Sequence, residues 1–340
     1  MTPSQLDFTP WEVKVLSYCE NPLGQRVITY KWVWPYSLLP EGNTHREQSR
    51  NSASSRAIPT KTMIGRIMNQ PYIPDWTANG KGMQGRPMSA DERKSLDLRW
   101  LQLRDFTIAW TIQTMSDRKA RVKAEDIPYM SVEEIAKFLD HDWETVKPHK
   151  QDINRPLQPW LFIDWIVSGT SFANLFFQRV HRAAHPGFQR AAYSAAKLWF
   201  TTTPTWTDWG DWSLPFVDED DLSAIESLYV HETEDDVYLD AARVSAARCG
   251  RISYLNSGKK DVESDLRWYK DHILTNTEIG EPPHVSPAEH PCMAETGQWG
   301  NFIGFRQLRK MIPGEYCAEY TIERLNDYER EMGFELTRAL

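Results

Sequence analysis

A chain of 340 residues, 41% hydrophobic and 25% charged, holds material for one large core or two modest ones and has no long low-complexity tract. Its formal net charge of −8 argues against a polymeric nucleic-acid binder, which needs surplus Lys and Arg to displace counterions. No apolar run reaches the ~20 residues that span a bilayer, and the opening MTPSQLDFTPWEVK lacks the basic and apolar regions of a secretion signal, so a soluble, cytoplasmic protein is expected, with no membrane partner.

Residues 11–34 contain Val13, Val15, Leu16 and the run Arg26 to Trp34 around the turn signal Asn21-Pro-Leu-Gly24. That pattern predicts two strands, or a strand and a short helix. Residues 42–59 are polar, small and basic, and residues 71–88 are rich in Pro and Gly, so both read as loop. Ser89-Ala-Asp-Glu92 is a capping-box pattern opening a helix to about Met115, and Ser131-Val-Glu-Glu134 opens another. Residues 149–160 form a polar approach to a strongly apolar stretch, 157–168, read as helix, and more helix is expected over about 171–183. Pro186 suits the start of a helix to about Phe200. A Trp-rich loop, 203–216, precedes an acidic helical region, 218–249; a further helix near 261–274, a Pro-containing loop and a final mixed piece complete the chain. Helix dominates over strand, which predicts an α+β protein.

Besides the polar patch at 149–160, which on its own reads as a helix entry, three segments concentrate chemistry. The stretch Thr44 to Pro59 offers Arg46, Arg50 and Arg56, whose planar donor forks suit phosphate, among short donors such as Ser49, Asn51, Ser54 and Ser55. By composition alone a solvated basic loop is the favoured reading. In the segment Thr170 to Pro186, Asn174, Phe177 and His181 recur at helical spacing. Phe176 and Phe177 read as core, and Arg179 in so apolar a stretch calls for a buried partner or a ligand anion. Near the carboxyl end stand His284-Val-Ser-Pro-Ala-Glu289-His290 and Asn301 to Arg309. His284, His290 and Cys292 lack a fourth ligand at zinc spacing, so no metal is expected. The four cysteines are far apart and read as reduced. Only Cys249 has basic neighbours, Arg248 and Arg251, and a buried structural thiol is the reading there.

These segments resemble the flavin-dependent thymidylate synthases, and in particular their long, phage-type members. The family signature RHRxxSxNExSxR is met without a gap by His45, Arg46, Ser49, Asn51, Ser54 and Arg56; Thr44 and Ser52 depart from it. Arg155 resembles the family's phosphate-binding arginine, and Asn174, Arg179, His181 and Ala184 follow its later element, with His185 and Gly187 departing. The 284–290 and 306–307 pieces resemble elements that precede the signature in the family but follow it here. With the echo of Leu16-Ser17-Tyr18 in Ile252-Ser253-Tyr254, this suggests a duplicated or rearranged core unit, with half-units 1–215 and 216–340 of a single domain and a helical insertion at about 89–147. Residues 61–147 match only locally, at Gly82-Met83-Gln84.

The resemblance implies a helix-rich fold with a smaller mixed sheet, binding FAD and using methylene-tetrahydrofolate and NADPH to methylate dUMP at C5. It implies that His45, Arg46, Asn51, Asn174, His284 and Glu289 hold the cofactor, that Ser54, Ser55, Arg56, Arg155 and Gln307 hold the deoxypyrimidine monophosphate, and that Arg179 binds and polarises the pyrimidine. It also implies a homotetramer, in the host cytoplasm if phage-encoded. Ser52 keeps open an enzyme that methylates or hydroxymethylates another nucleotide, such as dCMP. The departures at Thr44, Ser52, His185 and Gly187 keep open a non-catalytic nucleotide-binding homologue.

Overall fold

The computed structural model describes residues 9–80, 85–116, 122–139, 148–228, 233–252, 261–274, 284–312 and 318–333. The Ser253-Tyr254 echo and Gly82-Met83-Gln84 lie outside them.

Of the two alternatives for residues 11–34, two strands form: β1 (Val13–Glu20) and β2 (Arg26–Pro35) pair as a hairpin around Asn21, whose Oδ1 accepts from the amides of Leu23 and Gln25 at 3.0 and 3.1 Å. A short helix, α1 (Leu39–Gly42), then leads to β3 (Ser49–Ser52), α2 (Thr60–Asn69), α3 (Ala90–Met115), α4 (Val132–Leu139) and α5 (Lys150–Ile153). The middle of the chain supplies β4 (Phe162–Gly169), α6 (Ala173–Arg179), α7 (Pro186–Thr201), β5 (Thr205–Trp206) and β6 (Trp212–Ser213). Helices α8 (Glu219–Leu228), α9 (Glu234–Arg251) and α10 (Val262–Trp268) follow, then β7 (Cys292–Trp299), β8 (Phe302–Gln307) and α11 (Ala318–Met332). The class is α+β and helix-rich, with a smaller mixed sheet.

The main sheet runs β3-β4-β2-β1-β5, antiparallel except for the β1–β5 pair, and β6-β7-β8 form a second sheet. Side chains alternate across β2 and β4 as the period of two requires. Tyr30, Trp32, Trp34, Ile163, Trp165 and Val167 enter the large core shared with α2, α3 and α7. Trp34 and Trp165 stack at 4.6 Å. On the other face Ile166 meets Cys249 and Ile252, while Cys19 and Val27 meet Cys292, Phe302 and Phe305 of the second sheet.

Several expectations are corrected. Residues 162–169 are a strand, not a helix: β4 is buried on both faces, where a continuous apolar run carries no period to separate the two. Residues 42–59 are not loop throughout, because Ser49 to Ser52 pair with Ser168 to Trp165 at the sheet edge. The helix expected over 171–183 ends at Arg179, so His181 lies beyond it. Phe177 is 85% exposed rather than core, whereas Phe176 packs against the core. The loop at 203–216 carries the two short strands β5 and β6. Both capping boxes form: Ser89 Oγ accepts from Glu92 N at 3.3 Å, and Ser131 Oγ from Glu134 N at 3.1 Å.

Candidate functional site

The site is built on the turn between α1 and β3. Gly42 lies under the indoles of Trp34 and Trp165; a Cβ there would stand 2.6 Å from Trp34. The chain therefore turns tightly against the core at this point. Thr44 Oγ1 donates to Glu41 O at 2.7 Å, and the Arg50 Nη1 group donates to Asn43 O at 2.6 Å and His45 O at 2.8 Å, closing the turn over itself. His45 is buried inside it, while Arg46 is exposed.

Arg179, the last residue of α6, reaches this turn from 134 residues away. Its Nε donates to His45 Nε2 at 2.8 Å, its Nη1 to Glu41 at 3.3 Å and its Nη2 to Thr44 Oγ1 at 3.2 Å. The guanidinium lies 4.7 Å above the ring of Phe188, and the same ring meets the His45 imidazole edge-on at 5.8 Å. The buried partner that an arginine in an apolar stretch requires is therefore present. A guanidinium only donates, so Nε2 of His45 must be the accepting nitrogen and the neutral ring carries its proton on Nδ1. Burial first, then the charges of Arg179 and Arg50, push the His45 pKa down to about 4. Of the five N–H donors of a guanidinium, those contacts use three, leaving donors on both Nη atoms outside them.

The carboxyl-terminal segments meet β3 from the opposite side. Gln307 Nε2 donates to Ser49 Oγ at 2.9 Å and lies 3.1 Å from Glu289 O and 3.2 Å from Asn301 Oδ1. Asn301 Nδ2 donates to Ser49 Oγ and to Glu47 O, both at 3.1 Å. Glu289 pairs with Arg309. Buried His290 joins the sheet itself: its Nδ1 is 2.8 Å from Ser168 Oγ, which is 2.7 Å from Thr29 Oγ1. Burial pushes the His290 pKa down to about 3, and its Nε2 has no partner among the described residues. His284 is exposed.

The far end of the turn-and-strand segment rests on residues 150–158. Gln158 Nε2 donates to Ser55 Oγ at 2.6 Å, and Asn154 Nδ2 to Ser55 O at 2.7 Å and Ile58 O at 2.9 Å. Lys150 Nζ donates to Ala57 O at 3.1 Å. Arg56 and Arg155 are exposed; Arg155 Nε donates to Gln151 O at 3.3 Å. Asn51 turns inward, its Nδ2 donating to Cys249 O at 2.8 Å, and Asn174 is exposed on α6.

The structure thus brings together His45 with Arg179, and Gln307 and Glu289 with Ser49. It leaves Arg46, Arg56, Arg155, Asn174 and His284 on the surface and ties Asn51 to α9. Sequence reasoning missed Glu41, Gln48, Asn154 and Gln158, and weighed His290 only as a metal ligand, not as a partner of Ser168. The signal for Asn154 was a polar residue that turns out buried inside an already singled-out stretch; Glu41 and Gln48 carried none, because their partners are remote.

Cys249 is buried, and burial drives its thiol well above the usual range. The guanidiniums beside it in sequence point elsewhere: Arg248 binds Asp221 and Asp265, and Arg251 binds Asp265. Among the described residues no three His, Cys, Asp or Glu side chains gather as a metal site, and no helix is long and apolar enough to cross a membrane. Comparison with protein-family models, curated proteins and solved structures found no match.

Proposed function

We propose that the chain is a flavin-dependent enzyme of the thymidylate synthase type, which methylates the C5 position of dUMP. The observation that carries this reading is the meeting of remote segments on one turn and strand. The Arg179–His45 bond and the Gln307–Ser49 bond, spanning 134 and 258 residues, join the pieces whose motifs resemble that family.

The residues present fit a phosphate-bearing planar cofactor and a nucleotide. Arg46, Arg56 and Arg155 offer exposed guanidiniums, and Nε2 of His290 and Oε1 of Gln48 are buried polar atoms next to β3 without a partner among the described residues. By this reading His45, Arg46, Asn51, Asn174, His284 and Glu289 belong to the FAD side, and Ser54, Ser55, Arg56, Arg155 and Gln307 to the nucleotide side. When bound, reduced FAD supplies electrons, methylene-tetrahydrofolate supplies the carbon, and NADPH restores the reduced flavin. The protein orients the reactants and stabilises charge developing on the pyrimidine. Arg179 suits that role, because its charge is held between Glu41 and a neutral His45 and it retains N–H donors outside those contacts. No thiolate nucleophile is required, in keeping with the buried, unactivated Cys249. The reading also implies a closed homo-oligomer, a tetramer by resemblance, measurable by light scattering.

The test is the visible spectrum of the purified chain, followed by incubation with labelled methylene-tetrahydrofolate and either dUMP or dCMP. Oxidised-flavin bands and label in dUMP are expected. Label entering only dCMP would establish the second reading, which rests on Ser52: β3 carries a small hydroxyl where the signature has a carboxylate. A colourless protein that takes up no FAD would leave a non-catalytic nucleotide-binding homologue.

A further inference from the structure

Helix α3 buries one apolar face and leaves a second one in solvent. Inward, Ile108, Ile112 and Met115 enter the core. The hydroxyls of Thr107 and Thr111 donate to Leu103 O and Thr107 O at 2.8 and 2.9 Å, so neither asks for a partner outside the helix. Outward stand Leu103, Phe106 and Trp110, which are 50%, 61% and 41% exposed. At about 100° per residue their side chains project within about 60° of one another. From Leu103 to Met115 the charged residues are Arg104 and Asp105, both buried and paired with each other at 2.6 Å, so the outward face of this half of α3 is uncharged. A surface helix keeps such residues on one side, whereas a helix apolar on two sides is built to lie between two partners. The three side chains expose on the order of 300 Å², a patch of the size that is often functional.

We propose that this face binds the same face of a second copy of the chain, with the two α3 helices antiparallel about a two-fold axis beside Phe106. The occupant is argued from charge along the helix. The first turn of α3 carries Asp91 and Glu92, which complement its positive end, but its last turn has no basic residue to complement the negative one. Arg99 is exposed and projects within the same arc as Leu103, Phe106 and Trp110. In an antiparallel pair centred on Phe106, Arg99 of each copy falls opposite Gln113, at the last turn of the other helix. Each copy thus supplies the cation that the other's α3 lacks. The same register sets Leu103 of each copy beside Trp110 of the other, and two-fold symmetry repeats every contact. The patch is small, so the pair buries less than about 1,200 Å² in all and belongs with weak, reversible interfaces. The proposed function implies a closed homo-oligomer without assigning it a face, and α3 lies in a stretch that the resemblance matches only locally; the inference does not rest on that function.

The test is sedimentation velocity of the full chain at concentrations up to about 100 μM, with self-association expected in the micromolar range. Phe106 is exposed, so Phe106→Glu should keep the far-UV circular dichroism of the parent while weakening association at least about tenfold, because it sets two carboxylates against each other at the axis. Arg99→Ala should weaken it about two- to fivefold, and Arg93→Ala, outside the arc, should leave it unchanged. In a parallel pair the two Arg99 side chains would face each other, and Arg99→Ala would tighten the complex instead. If the chain also closes a larger assembly through another face, Phe106→Glu should halve its mass. A monomer at about 100 μM, association unmoved by Phe106→Glu, or tightening by Arg99→Ala would overturn the proposal. A monomer that binds phosphatidylcholine vesicles, and loses them in Phe106→Glu, would give the face to lipid and overturn it as well. A colourless chain whose self-association Phe106→Glu disrupts would fail the proposed function and leave this interface standing; a flavin-bearing chain unmoved by Phe106→Glu would do the reverse.

Discussion

The Nε–H of Arg179 donates to Nε2 of His45 at 2.8 Å, and this one bond fixes the protonation of both groups. A protonated imidazole has no lone pair to offer, so the contact exists only while His45 is neutral. Glu41 and Thr44 hold the other two edges of the guanidinium, and Phe188 lies under the guanidinium and meets the imidazole edge-on. The result is a fixed cation held next to a neutral base, at the start of the segment with the richest chemistry in the chain.

Acid should weaken the fold through His45 and His290. Their folded pKa values, about 4 and about 3, lie below the unfolded value near 6.5, so the unfolded chain binds more protons between those limits. The stability they contribute is complete above about pH 6.5 and is lost as the pH falls toward 4 and then 3, on the order of a few kcal/mol for each and more for His290 than for His45. Urea midpoints at pH 7, 5.5 and 4.5 measure this, and His290→Gln should flatten the slope. A profile level from pH 7 to 4.5 would refute it.

Arg46 and Arg179 should separate function from folding. Arg46 is exposed, so Arg46→Ala should change stability by less than about 0.5 kcal/mol while removing bound flavin, if the proposed function holds. Arg179→Ala removes three hydrogen bonds and the contact over Phe188, and should cost about 1–3 kcal/mol in addition to activity. Melting curves beside flavin content distinguish the two; full flavin retention by Arg46→Ala would count against the placement.

Gln307→Leu should loosen the junction between β3 and β8. Gln307 is buried and its amide serves Ser49 Oγ and Glu289 O, so the variant strands acceptors in the interior at about 1–3 kcal/mol. Hydrogen exchange should rise at β3 more than in the Trp32–Trp34–Trp165 core. Equal protection in both variant and parent would show that the junction does not hold the strand.

The buried cluster of Arg248, Asp221 and Asp265 should be a rigid tie between α8, α9 and α10. Arg248 Nη2 meets Asp221 Oδ1 and Arg248 Nε meets Asp265 Oδ2, each at 2.8 Å. Arg248→Met leaves two buried carboxylates without their shared partner, with an expected loss of about 3–5 kcal/mol. Chemical denaturation tests it, and Asp265→Asn together with Arg248→Met should cost less than the sum of the separate changes.

Gly42→Ala should act on the site through packing alone. The added methyl meets Trp34 at 2.6 Å and Trp165 at 3.3 Å, neither of which has room to move in the core. A cost of about 1–3 kcal/mol is expected, with displacement of the turn that carries His45. Fluorescence of the Trp cluster together with the melting midpoint reports both.

By itself the sequence determined the features with local causes: the Asn21 turn, the two capping boxes, the helix from Pro186, and which segments hold the arginines, serines and histidines. These follow from neighbouring residues, whose hydrogen bonds close within a few positions. Only the tertiary structure decided that 162–169 is a strand, because a run buried on both faces shows no period. It likewise decided that Phe177 faces solvent, that Asn51 is tied to Cys249, and that His290 reaches Ser168. The pairing of Arg179 with His45 belongs to the same class. An arginine in an apolar stretch signals the need for a partner, but which partner meets it depends on how α6, α7 and the turn after α1 pack around Phe188, a relation carried by no local spacing of residues.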